Sequence, residues 1–224
     1  MAEVNYTKRN VSDFTDAKYR NQVFGRFLCT KILYRLFYSI EYYGKENIPT
    51  DRNYIAAPNH ISLMDPVIVG EAINEPIAYM GKKELFEKNR LFAWVFDQVA
   101  CFAVNREKLE VSTIKTAINV LKTKKWRLGI FPQGGIKRNK KIEKINKGVA
   151  IIAKQMKTDI VPIGIMGCEQ PNWIPFKGKI TIKIGTPISH EQEVDDILNE
   201  WGEKIAELTG YEYVKEPEEE KEIA

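Results

Sequence analysis

The sequence predicts one α/β domain, a largely parallel central sheet flanked by helices, with an amphipathic helical segment in front of it. Two observations carry this. From Gly44 onward, short apolar runs alternate with longer amphipathic ones, as strand–helix units require. The 224 residues suffice for one sizeable core, and no internal repeat or linker divides them.

Taken in order, residues 1 to about 19 are polar and irregular. Residues 20–44, RNQVFGRFLCTKILYRLFYSIEYYG, read as one helix, because Val23, Phe24, Phe27, Leu28, Ile32, Leu36 and Phe37 recur at three and four. Arg20, Arg26, Lys31 and Arg35 interrupt the stripe. Such a helix either packs on the domain or lies in a membrane interface with its basic groups at the headgroups. It does both if it rests on the body and keeps aromatics at its rim. NYIAAP (53–58), PIAYM (76–80), VACFAV (99–104), RLGIF (127–131) and DIVPIGIM (159–166) read as buried strands. Helices are expected between them at 66–73, 83–97, 109–124 and 148–157. KITIKIG (179–185) alternates as a half-exposed or edge strand does, and a last helix spans 189–208. The expected segments are therefore 1–43, interfacial; 44–210, the α/β domain; and 211–224, an acidic, mobile tail.

Hydrophobic and charged fractions of 44% and 29% are those of an ordinary folded body. The formal charge is +4, but the tail after Val214 holds five glutamates and two lysines, leaving about +7 on the remainder. That excess suits an anionic partner: a phosphorylated metabolite, acidic lipid or nucleic acid. Nucleic acid is the poor fit, since it calls for a basic face with exposed stacking aromatics, not an aromatic amphipathic start. Cys29, Cys101 and Cys168 lack metal-like spacing and read as core thiols in a reducing compartment. The N-terminus shows no apolar signal-peptide core, and no run of about 18 apolar residues suggests a membrane span.

Two histidines are present, His60 and His190. His190, in PISHEQE, reads as part of a helix-capping arrangement. His60 follows a buried strand in APNHISLMDP, where α/β folds display reactive groups. Asp65 lies five residues on; in a regular helix the two would face about 140° apart, so contact requires His60 in a loop. Asp65 as cap with Pro66 opening the helix satisfies this. Ser62 as cap with Asp65 closing a capping box is the alternative. The pair is either structural or a general base oriented by a carboxylate. No Ser or Cys stands in a nucleophile motif, so such a base would activate a substrate hydroxyl.

NHISLMD resembles the Asn-His-x4-Asp signature of the glycerolipid acyltransferases. Three more stretches resemble that family's later blocks in order: CFAVNR, FPQGGIKR and IVPIGI, so that the match spans His60 to Pro162. The resemblance implies His60 and Asp65 as the catalytic dyad, with Asn59 binding substrate beside it and Arg106 on the acceptor phosphate. Pro162 would shape the site wall. Gln133, Gly134, Gly135, Lys137 and Arg138 would form the acceptor-facing loop, with Lys147 at a helix start behind it. The third block departs from the usual Phe-Pro-Glu-Gly-Thr-Arg-Ser: Gln133 stands for glutamate, Gly135 for threonine, Ile136 for arginine and Lys137 for serine. Gln133 keeps an acceptor but loses the charge. The implied reaction moves a fatty acyl group from acyl-CoA or acyl carrier protein to lysophosphatidic acid, forming phosphatidic acid. It would run at the cytoplasmic face of an anionic membrane, on a peripheral or monotopic protein, with neither metal nor cofactor. The alternatives are glycerol 3-phosphate or another lysolipid or alcohol as acceptor, or a catalytically silent lipid-binding homologue. NRLFAWVFDQVACFAV, between the first two blocks, reads as an acyl-tunnel wall or as ordinary core.

Overall fold

The computed structural model describes residues 5–105, 110–170, 174–175 and 177–215. Helix α1 (Asp16–Arg26) is capped by the Thr15 hydroxyl, which accepts from the Lys18 N–H at 3.3 Å. The chain then widens into π turns over Phe27–Tyr34 and closes with α2 (Arg35–Phe37). The apolar repeat explains the widening. Phe24, Leu28, Ile32 and Leu36, all exposed, recur every four residues, a spacing that drifts about 40° per turn on an α-helix. The wider π turns drift the other way and hold the stripe to one face.

The remaining elements are β1 (Tyr38–Tyr43), β2 (Tyr54–Pro58), α3 (Asp65–Ile73), β3 (Ile77–Lys82), α4 (Lys83–Glu87), α5 (Arg90–Gln98), β4 (Phe102–Val104), α6 (Val111–Lys122), β5 (Arg127–Gly129), β6 (Lys141–Ile142), α7 (Gly148–Met156), β7 (Asp159–Met166), β8 (Gly178–Ile184), α8 (Val194–Thr209) and β9 (Glu212–Tyr213). Seven strands form one sheet in the order β1-β8-β7-β2-β5-β3-β4. From β7 to β4 all neighbours are parallel; β8 reverses against β7, and β1 runs parallel to β8. The result is the expected α/β fold with a mixed, mostly parallel sheet.

Two boundaries correct the sequence reading. The helix expected to reach Gly44 ends at Phe37, because Tyr38–Tyr43 pairs residue by residue with Gly178–Lys183. That strand also takes the edge, so of the two readings of β8 the half-exposed one holds, with its burial alternating along the strand. The helix expected over 83–97 breaks before Arg90, where the Asn89 side chain accepts from the Leu91 N–H at 2.8 Å and starts α5 afresh.

Each face of the sheet carries its own apolar layer. Ile55, Leu128, Ile160 and neighbours pack under α6, α7 and α8, where Trp201 donates its indole N–H to the Ala57 carbonyl at 2.9 Å. Tyr54, Ala56, Val161 and Ile163 pack under α3. Over α3 lies α1, whose Arg26 is buried and donates to the Gly70 carbonyl. The N-terminal stretch that reads as irregular is tied down too: the Tyr6 carbonyl accepts from Ala103 N–H, and Arg9 and Lys18 both reach Asp97. Of the expected tail, the part described here packs as well, since β9 pairs with β6.

Candidate active site

The C-terminal ends of the parallel strands are where this fold exposes loop residues around a crevice, and the first of those loops leaves β2 at Pro58. Asn59 fixes it. Its side-chain amide donates to the Ile165 carbonyl at 3.0 Å, accepts from the Ile165 N–H at 2.7 Å, and is 1% exposed. Asn59 therefore faces β7 and not an open site.

His60 follows. Its Nδ1 lies 2.8 Å from Asp65 Oδ2, and the Asp65 side chain is fully buried. The same oxygen accepts from the Ile61 N–H at 2.7 Å and the Ser62 N–H at 2.8 Å. Asp65 is the first residue of α3 and Pro66 the second, so the carboxylate folds back over the loop instead of capping its own helix. Ser62 closes no capping box; its hydroxyl accepts from the Met64 N–H at 3.3 Å. A carboxylate is an acceptor only, so the Nδ1 facing it carries the proton and Nε2 keeps a lone pair. Phe131 stacks on the imidazole with centroids 4.1 Å apart, and Tyr79 backs Phe131 at 5.8 Å. The ring is thus fixed in plane and tautomer, as a general base must be.

Behind the pair lies Cys168, whose Sγ is 3.6 Å from Asp65 Oδ1. Burial first, and then the Asp65 charge, hold this thiol far above its ordinary range, so it remains a donor. Gly167 aims it: φ is +92°, and a Cβ there would stand 2.0 Å from the Lys179 carbonyl oxygen. Glu169 accepts from the Gly167 N–H at 2.9 Å and from the Tyr211 hydroxyl. No sequence signal marks this group, because it meets Asp65 only through the turn after β7. Phe131 was nearer to hand, as the first residue of the third block.

That block folds against the first. Phe131–Gly134 is a tight turn, with the Gly134 N–H on the Phe131 carbonyl at 2.9 Å. Gly134 has φ +67°, and a Cβ would lie 2.7 Å from the Asn146 amide. Gly135 continues the same bend. The Lys137 N–H donates to the His60 carbonyl at 2.7 Å, and Arg138 Nε to the Ile61 carbonyl at 3.4 Å. The basic residues of the loop therefore begin at His60 itself.

With this geometry in view, comparison with known proteins is decisive. A family model described as Acyltransferase matches residues 39–166. The chain is 31% identical over 201 residues to the 1-acyl-sn-glycerol-3-phosphate acyltransferase of Streptococcus pneumoniae, covering 88% of this chain and 73% of that one. It is 31% identical over 180 residues to the Bacillus subtilis protein of the same name, covering 80% and 87%. The chain belongs to the acyltransferase family. The fold agrees: the crystal structure of the 1-acyl-sn-glycerophosphate acyltransferase PlsC of Thermotoga maritima superposes with a TM-score of 0.64 at 24% identity, over 85% of this chain and 79% of that one.

In this O-acyltransferase not every residue expected at the site gathers there. Gln133 is 6% exposed and donates through Nε2 to the Lys141 carbonyl at 3.1 Å, bracing the loop from within. A glutamate could not make that bond, since it has no N–H to donate. Lys147 points away and pairs with Asp195 at the start of α8, at 3.2 Å. Pro162 is buried within β7, opposite Ala57 and against Gly185, one layer below the loop. Arg106 lies outside the described residues. His190 caps no helix, because α8 starts only at Val194; its Nδ1 is 2.7 Å from Asp159 Oδ1.

Proposed function

We propose that this acyltransferase carries a fatty acyl group from a thioester, acyl-CoA or acyl carrier protein, to the free hydroxyl of 1-acyl-glycerol 3-phosphate, giving phosphatidic acid. The observation that carries the reading is the His60–Asp65 pair, an imidazole whose tautomer is set by a fully buried carboxylate and whose Nε2 bonds to no described residue. Nε2 takes the acceptor hydroxyl's proton as its oxygen bonds to the thioester carbonyl carbon. Asp65 stabilises the imidazolium that forms. Collapse of the tetrahedral adduct expels the thiolate, which takes the proton from Nε2, leaving ester, thiol and a neutral histidine.

Lys137 and Arg138, in the loop latched to His60, would hold the acceptor phosphate, with Arg106 in the same role. The acceptor is the one named in both bacterial relatives. The reaction is placed at an anionic membrane surface, reached through the exposed apolar stripe within residues 1–43. No helix among the described residues is long and apolar enough to cross a membrane.

A second acceptor, glycerol 3-phosphate or another lysolipid, is favoured by one observation: position 133 supplies an inward-facing amide where the family's third block usually carries a carboxylate. An acceptor panel with both donors, following thiol release and lipid product, separates the readings. Lysophosphatidic acid should be acylated fastest. A clear preference for glycerol 3-phosphate or for an acceptor without phosphate would replace the proposal.

A further inference from the structure

The segment between the first two blocks divides: Ala100, Phe102 and Ala103 are core, as one reading of it expected, whereas the helix before them turns an apolar face outward. In α5, Ala93 is 1% exposed, whereas Leu91, Phe92, Trp94 and Val95 are 65%, 59%, 56% and 42% exposed. The helical period accounts for the split: residues 94, 91, 95 and 92 follow one another over about 160° of the circumference, with Ala93 on the far side. Four large apolar side chains on a helix of nine residues are thus turned outward together.

This is not a loose helix that has rolled over. Phe96 packs on Phe86 with centroids 5.6 Å apart, and Asn89 caps the N-terminus. At the other end, Asp97 accepts from Arg9 at 2.6 Å and from Lys18 at 2.9 Å, and Gln98 accepts from Asn21. Those contacts fix the outward face in place and set α5 beside α1, with Gln22 donating to the Val99 carbonyl at 2.7 Å. From there the N-terminal stripe exposes Val23, Phe24, Phe27 and Leu28. The helices α4 and α5 also leave the C-terminal end of β3, the end of the sheet at which His60 stands beyond β2. Leu63, between His60 and Asp65, is 75% exposed at that same end.

We propose that α5 is a second membrane-contacting element, whose Leu91–Phe92–Trp94–Val95 face enters the interfacial region of an anionic phospholipid bilayer. The charge pattern selects this occupant. The one carboxylate of α5, Asp97, is turned inward onto Arg9 and Lys18, while Lys88 and Arg90 flank the exposed face. An apolar helical face with a tryptophan and a basic margin is the chemistry of an interfacial helix. Two contacts on adjacent helices also define an orientation, which a single helix does not. The inference rests on the membrane-side reading above, and locates its contact in the catalytic domain.

The test uses the full chain with phosphatidylcholine vesicles and mixed phosphatidylcholine–phosphatidylglycerol vesicles. The combined variant Leu91→Ser, Phe92→Ser, Trp94→Ser should reduce partitioning onto the mixed vesicles by about tenfold or more. In a Trp173→Phe background, which removes the one further tryptophan, quenching of tryptophan fluorescence by brominated phosphatidylcholine should disappear on adding Trp94→Phe, since Trp126 and Trp201 are buried. Turnover of an acceptor presented in vesicles should fall with partitioning, while turnover of a short-chain acceptor dispersed as monomers stays the same. Unchanged partitioning with unchanged quenching would overturn the proposal. So would a wild-type dimer that the triple variant dissociates without loss of vesicle binding, because the face would then belong to a second copy. If vesicle binding depends on α5 and no lysolipid is acylated by any form, the proposed acceptor fails and this inference stands.

Discussion

His60 lies 2.8 Å from Asp65, and His190 lies 2.7 Å from Asp159. By distance the two pairs are equivalent, yet their surroundings divide them. Asp159 opens β7, so its pair sits at the N-terminal end of the parallel strands, where loops turn the chain back. The same Asp159 oxygen takes both the His190 ring and its backbone N–H, and the other oxygen faces Arg52 at 3.4 Å. That pair staples a loop to a strand. Among the described residues no basic side chain competes for Asp65: His60, two backbone N–H groups and a thiol contact it. The enclosed carboxylate and the clamped ring are what support the proposal of His60 as base, and His190 has no such surroundings.

The largest effect that could break this contrast is His60→Ala, expected to reduce acyl transfer by about 10²–10⁴-fold with circular dichroism unchanged. Parental turnover of lysophosphatidic acid by that variant would remove His60 from the mechanism. Asp65→Asn should cost roughly 10²-fold in kcat, since an amide no longer dictates the ring's tautomer; Asp159→Asn, measured beside it, should leave kcat in place. Next comes Gln133→Glu, which sets an acceptor group against the Lys141 carbonyl and should lower stability by about 1–3 kcal/mol in denaturant unfolding. Faster turnover with stability intact would mean that residue 133 faces the acceptor after all. Cys168→Ala should lower kcat about two- to fivefold through the lost S–H contact to Asp65, with Cys168→Ser restoring most of it. His190→Ala closes the series: activity within about twofold, and stability lower by about 1 kcal/mol.

What could be read beforehand follows from where the information lies. Strands β2, β3 and β7 show as continuous apolar runs because both faces of the sheet are covered. β1 does not, since Tyr38–Tyr43 prolongs the aromatic pattern of the preceding helix and its partner β8 comes far later in the chain. The dyad was legible because its members are five residues apart and must meet in a loop. Cys168, 103 residues from Asp65, was not, and nothing in its local context sets it apart from any other buried thiol. The orientation of Gln133 was hidden for another reason: its motif position suggested the acceptor, but its partner is a main-chain carbonyl, which no residue type announces. For α5 the amphipathic period was present, and the period alone does not say what covers the apolar side.

The two-residue pairing of β6 with β9 has a consequence in the order of synthesis. Lys141 and Ile142 belong to the basic loop, and they acquire their sheet partners only when Glu212 and Tyr213 have been made. Tyr211, which grips the turn behind Asp65 through Glu169, arrives at the same moment. The apolar helix thus leaves the ribosome well before the parts that brace the His60–Asp65 pair and its loop. On the membrane reading proposed above, a nascent chain therefore reaches its surface well before it can perform chemistry there.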